Sequence, residues 1–222
     1  MNIRNVVAVS LLSLACVQLG CQTPAGSGPT VNAASNPWFL AASTGSQGDL
    51  DAALSSGSNI NDRERNDRYS PLHMAAMAGN IKAVKFILAH GGNVDAVDED
   101  GRTPLMMALY RSQGASSETL VESNANLEVR DREGATALMF AAKYGQADAI
   151  EAMAKRNVNL DAQTRSGTTA MMYAADRGQL VAVKALKAKG ANAGLRDSRG
   201  RSALDFAITK NQPEIVKVLK AE

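Results

Sequence analysis

The amino-acid sequence predicts an all-α repeat solenoid, and three observations predict it. The first is a pattern that returns without slipping. Ser70-Pro71-Leu72, Thr103-Pro104-Leu105, Thr136-Ala137-Leu138, Thr169-Ala170-Met171 and Ser202-Ala203-Leu204 lie 33 residues apart. A fixed period of that length marks one supersecondary unit copied in tandem. The second observation is a further apolar set in the units at helical spacing: Val84/Ile87/Leu88, Ile150/Met153, Val183/Leu186 and Val216/Leu219. The third is composition: aromatic residues are only 4% of the 222 residues, while Ala, Leu, Val and Met are plentiful. Small side chains suit short helices whose backbones approach closely. Units that pack only against their neighbours make one elongated domain.

Taken in order, the chain opens on an address. Met1 to Asn5 carries one Arg, and Val6 to Val17 is an apolar run broken only by Ser10 and Ser13. That run is too short to cross a bilayer as a permanent helix and suits a signal-peptide core. Gln18-Leu19-Gly20-Cys21 follows and resembles a bacterial lipobox. The resemblance implies that residues 1–21 are the signal and that Cys21 becomes the lipidated mature N-terminus. Gln18 departs from the pattern, which has Leu, Val or Ile there. Cys16 after Ala15 is an alternative site, and cleavage after Ala25 would instead release a soluble periplasmic protein. Gln22 after the Cys, rather than Asp, resembles an outer-membrane signal. The expected location is the bacterial cell envelope, as an outer-membrane lipoprotein facing the periplasm. Residues 22–36 are small, polar and rich in Pro and Gly. They predict a flexible linker with a reach of roughly 20 Å.

Within a unit, Asp100-Gly101-Arg102 predicts a turn, with Gly101 supplying backbone freedom. Thr103 is expected to cap a helix beginning at Pro104, a position that has no helical partner for its nitrogen in any case. Ala75, Ala108, Ala141, Ala174 and Ala207 recur at one register, where Ala lets first helices pack closely. The second helix of each unit ends at Gly91, Asn124, Asn157 or Gly190, residues that enter the left-handed conformation readily.

This helix–turn–helix unit with a hairpin finger resembles the ankyrin repeat, most clearly in Ser70-Pro71-Leu72-His73-Met74-Ala75-Ala76-Met77-Ala78-Gly79. The resemblance covers residues 37–222. It divides them into a degenerate cap (37–66) and five repeats (67–99, 100–132, 133–165, 166–198, 199–222). The cap's finger, Asn61 to Tyr69, runs one residue long and has Arg68 in place of the turn glycine. Later units replace His73 by Met106, Met139, Met172 and Asp205. In the family this His bonds the preceding hairpin, which implies that fingers lacking it are held less firmly. Between Ser112 and Asn124 one outer helix reads weak, because Ser117 stands where Val84, Ile150, Val183 and Val216 stand elsewhere. Gly114 disfavours helix by about 1 kcal/mol relative to Ala. That helix is expected to begin near Glu118 and to open first.

Chemistry has little to stand on. With 24 Lys+Arg against 22 Asp+Glu the net charge is +2, too small a field to draw in nucleic acid or acidic lipid. Both cysteines, Cys16 and Cys21, precede the repeats, so the repeat region holds no disulfide and no cysteine nucleophile. The two histidines, His73 and His90, lack a third metal ligand at recognisable spacing. No nucleophile elbow or phosphate loop is present. The chain is read as a non-enzyme without cofactor or metal.

What remains is binding. The resemblance implies a concave face lined by inner helices and fingers. The positions that point out of it are Met74, Met77 and Ala78; Met107, Tyr110 and Arg111; Phe140, Lys143 and Tyr144; Tyr173, Asp176 and Arg177; and Phe206, Thr209 and Lys210. Five of the nine aromatic residues fall in that set. Tyr and Arg are the residues most enriched at interface hot spots. The candidate partner-binding residues are Tyr110, Arg111, Phe140, Lys143, Tyr144, Tyr173 and Arg177, with the fingertip residues Arg102, Arg132 and Arg165. Phe140, Tyr173 and Phe206 share one repeat position, and covering the groove between inner helices is their competing role. The expected function is a monomeric, envelope-anchored module binding a periplasmic protein client, as an adaptor or an inhibitor of immunity type. A structural spacer of the envelope and a secreted interaction factor are the alternatives.

Overall fold

The computed structural model describes residues 36–221. The signal, the lipidation of Cys21 and all of the linker but Asn36 lie outside the described residues. Twelve helices, and no strand, are found among the described residues. Six form an inner row: α1 (Pro37–Thr44), α3 (Pro71–Ala78), α5 (Pro104–Tyr110), α7 (Ala137–Lys143), α9 (Ala170–Asp176) and α11 (Ala203–Thr209). Six form an outer row: α2 (Gln47–Ser55), α4 (Ile81–Ala89), α6 (Gly114–Glu122), α8 (Ala147–Ala154), α10 (Leu180–Ala188) and α12 (Pro213–Lys220). Each inner helix packs on the next inner helix and on its own outer partner, and from α4 onward the outer helices stack as well. The 33-residue period is visible in the starts of α3, α5, α7, α9 and α11, and α1 begins one position earlier than that period would place it. The long first finger accounts for the extra residue.

Capping fixes where the inner helices begin. The hydroxyls of Ser70, Thr103, Thr169 and Ser202 each accept the amide of the third residue beyond. Pro104 stands in the first turn, as the sequence predicts, and so does Pro71. Thr136 is the exception, its buried hydroxyl making no bond. Asn124 and Asn157 have φ of 60° and 55°, and Gly91 and Gly190 of 90°, so these four residues close their outer helices. Arg68 holds the strained left-handed position with φ 57° where a glycine is absent.

One continuous apolar core runs from Trp38 to Ile215. Ala75, Ala108, Ala141, Ala174 and Ala207 are fully buried within it. A larger side chain at any of these would force the inner row apart, at a cost of about 1–3 kcal/mol.

Two expectations are corrected. His73 does not bond the preceding hairpin. Its Nε2 lies 2.9 Å from the carbonyl of Arg102, in the turn that follows, while Nδ1 accepts the amide of Ser70. The methionines that replace His73 cannot make that bond, and other bonds hold the later turns. The carboxylates of Asp98, Asp131 and Asp197 accept amides within their own turns. Successive turns are joined by backbone bonds, Glu99 to Asp67, Arg132 to Asp100, Arg165 to Glu133 and Ser198 to Ser166. A second ladder adds Asn93, Asn126, Asn159 and Asn192, whose amides reach Asn61, Asp95, Glu128 and Asp161. The methionines at the His position fill the core instead. The outer helix α6 also begins at Gly114, not near Glu118. Ser117 there donates back to the carbonyl of Gly114 at 2.7 Å, and Thr119 to that of Ala115 at 2.9 Å. Ser117 and Thr119 are satisfied by their own turn, and stacking against α4 and α8 holds the helix from Gly114.

Candidate functional site: the inner-helix groove

Where α5, α7 and α9 meet the turns before α5 and α7, the surface folds into a depression of about 210 Å³. The repeat period explains the convergence. Residues 33 apart occupy one line across the inner row, so Tyr110 and Lys143 are neighbours although far apart in the chain. Tyr144 and Tyr173 stand beside them from the same or the next helix.

Six of the ten sequence-predicted residues line this depression: Arg102, Tyr110, Phe140, Lys143, Tyr144 and Tyr173. Tyr110 and Tyr144 meet edge to face with centroids 5.4 Å apart. The Lys143 ammonium lies between two rings, 5.8 Å from the Tyr144 centroid and 5.6 Å from that of Tyr173. Such contacts favour a cation over a ring face. Burial pushes the Lys143 ammonium below the usual lysine range, and the guanidiniums of Arg177 and Arg102 push the same way against Glu133 and Asp131. Burial likewise raises the Tyr144 and Tyr173 hydroxyls, which therefore remain hydrogen-bond donors at neutral pH.

Phe140 is only 8% exposed, so it is chiefly a wall of the groove rather than a contact. Arg102 reaches the rim with one end paired to Asp100 at 3.2 Å, while its Nε is buried and makes no hydrogen bond among the described residues. The other four candidates lie outside the depression. Arg177 pairs with Asp176 at 3.5 Å, and Arg132 with Asp100 at 3.8 Å. Arg111 is half-buried at the end of α5, and the Arg165 side chain is exposed at a turn.

Other groove positions behave differently from expectation. Met77 and Met107 do not point outward; both are buried in a small separate cluster with Tyr69, against which Met74 and Tyr110 pack. Phe206 is covered by the Arg201 guanidinium, 4.3 Å from its ring centroid. Sequence reasoning missed Asp131, Glu133, Ala135 and Met139, which also line the depression. A signal for the first two was available. Asp131 and Glu133 repeat the register of Asp98 and Asp100, one acid serving the turn and the next facing out.

Helix pairs stacked in strict register and stitched by bonded turns define a repeat scaffold whose surface, not its core, carries specificity. A family model described as ankyrin repeats (3 copies) matches residues 38–131, 118–197 and 138–222. The chain belongs to the ankyrin-repeat family. Ankyrin repeats are protein–protein interaction modules, and the scaffold is typically non-catalytic.

Proposed function

We propose that this chain holds a protein client in the groove centred on Tyr110, Lys143, Tyr144 and Tyr173. The observation that carries the reading is the convergence of these side chains on one depression, with large amphipathic rings and a cation that no carboxylate pairs with among the described residues. Tyr combines contact area with a polar tip at low entropic cost, which is why it anchors interfaces. The client is a periplasmic protein, and the chain acts as a monomeric adaptor or inhibitor of immunity type. The lipobox-like segment supports attachment through Cys21 to the outer membrane, with the linker holding the repeats just off its surface.

Affinity capture from envelope extract, with the protein and its Tyr110→Ala/Tyr144→Ala variant as parallel baits, tests this reading. One abundant protein retained by the first and lost by the second identifies the client and its site together. Equal capture by both baits removes the groove from the argument. Metabolic labelling with a fatty-acid analogue tests the anchor, because incorporation abolished by Cys21→Ala is the expected result.

A further inference from the structure

We propose that the mid-groove depression is a carboxylate-binding pocket, receiving an acidic side chain or a C-terminal carboxylate of the client. As to the client, this rests on the groove reading above. As to the pocket, it rests on charges and donors already placed. Among the described residues no carboxylate pairs with Lys143, and its neighbours are two tyrosine rings. Arg102 lines the depression with Lys143, and Arg177, outside it, also acts on the ammonium. Arg177 is offset by Asp176, and Arg102 by Asp100 only at its outer nitrogen. The buried Nε of Arg102 is left without a partner.

Asp131 and Glu133 also line the depression, but among the described residues neither forms an ion pair with Lys143. Asp131 is spent on its own turn, accepting the amides of Glu133 and Ala135 at 2.9 and 2.8 Å. Glu133 stands exposed on the rim. A carboxylate entering beside Lys143 would meet an ammonium already partly stripped of water, together with phenol donors. Charge-assisted bonds made in such surroundings are stronger than those at an open surface. Size narrows the occupant, because about 210 Å³ is less than the roughly 300–1,000 Å³ of a small-molecule site. The depression holds a side chain or a chain end rather than a cofactor.

The test needs no client. The protein, carrying labelled lysine and tyrosine, is titrated by NMR with N-acetylglutamate α-amide, N-acetylglycine and N-acetylglutamine α-amide. The first presents a side-chain carboxylate, the second a terminal one, and the third has the size of the first without the charge. The expected result is saturable shifts at Lys143 and Tyr144 with one or both acids, at least about tenfold weaker for the amide. Lys143→Gln should abolish them and Lys143→Arg restore them, and the preferred acid identifies the source of the carboxylate. Equal shifts with the amide overturn the pocket, and so do shifts with the acids that survive Lys143→Gln, or no shift at these residues. If the acids bind as expected but capture shows no groove dependence, the groove reading fails while the pocket's chemistry stands.

Discussion

Outer helices α6 and α10 hold the same place in their units and have the same nine-residue length, yet different side chains hold them down. The buried face of α10 is Ala182, Val183 and Leu186. That of α6 adds Ser116, Ser117 and Thr119 to Leu120 and Val121. Two of the three hydroxyls bond back to their own helix, and the third, Ser116, is buried without a partner. Stacking against α4 and α8 imposes the helix on a segment whose propensity resists it. The difference between the two helices therefore lies in free energy, not in geometry. Helix α6 should still open first at neutral pH, with amide exchange in residues 116–122 faster than in 180–189.

The largest test moves the weak point elsewhere. His73 is fully buried and ties α3 to the next turn through the Arg102 carbonyl. Burial holds its pKa down to about 4, against 6.5 in the unfolded chain. Between those values the unfolded chain binds the proton and the folded one refuses it. The stability due to neutral His73 is therefore complete above pH 6.5 and is lost as pH falls to about 4. The loss amounts to roughly 3 kcal/mol across that window. Denaturant titrations at pH 7 and pH 4.5 check it. Exchange at the lower pH should accelerate first around α3 and the 98–103 turn, overtaking α6. His73→Leu, which cannot take up the proton, should flatten the His-linked part of the pH dependence.

Next in size is the conversion of α10 into the likeness of α6. Val183 is fully buried at the register of Ser117. Val183→Ser removes two methyl groups from the core and buries a hydroxyl, and should cost about 2 kcal/mol. Chemical denaturation measures the cost, and exchange in residues 180–189 should rise toward that of α6. A loss no larger than that of a surface substitution would mean that the buried hydroxyls of α6 are not its weakness.

The reverse exchange is smaller. Ser117→Val restores the side chain used at that register by three other outer helices and should stabilise by about 1 kcal/mol. The gain is below the full worth of a buried Val because Ser117 already satisfies its hydroxyl at the Gly114 carbonyl. Thermal unfolding reads the change, and slower exchange confined to α6 would localise it.

These helices also mark how far the sequence was legible. The period, the cap at Thr103, and the closing residues Asn124 and Asn157 were readable because each rests on contacts within one unit. The start of α6 was not, since Gly114 and Ser117 argue locally against a helix that only neighbouring units enforce. The groove divides the same way. Register along the period found Tyr110, Lys143 and Tyr144. The burial of Met77 and Met107 depends on Tyr69 packing across units, and the part played by Glu133 on how the turns stack. The first leaves no trace in the sequence, and the second shows only in the register that Glu133 shares with Asp100.

The smallest effect concerns the separation of groove from scaffold. Tyr144 is half-buried on the inner face and touches Tyr110 and Lys143, none of which belongs to the outer row. Tyr144→Ala loses one edge-to-face contact, worth about 0.5–1.5 kcal/mol, from a site that solvent can refill. Stability should fall by no more than about 1 kcal/mol, and the ratio of exchange rates between α6 and α10 should not change. A change in that ratio would mean that the groove and the outer row are energetically coupled. Binding defects in groove variants would then have to be read partly as loosening of α6. With the ratio constant, a client lost on Tyr144→Ala is lost at the surface.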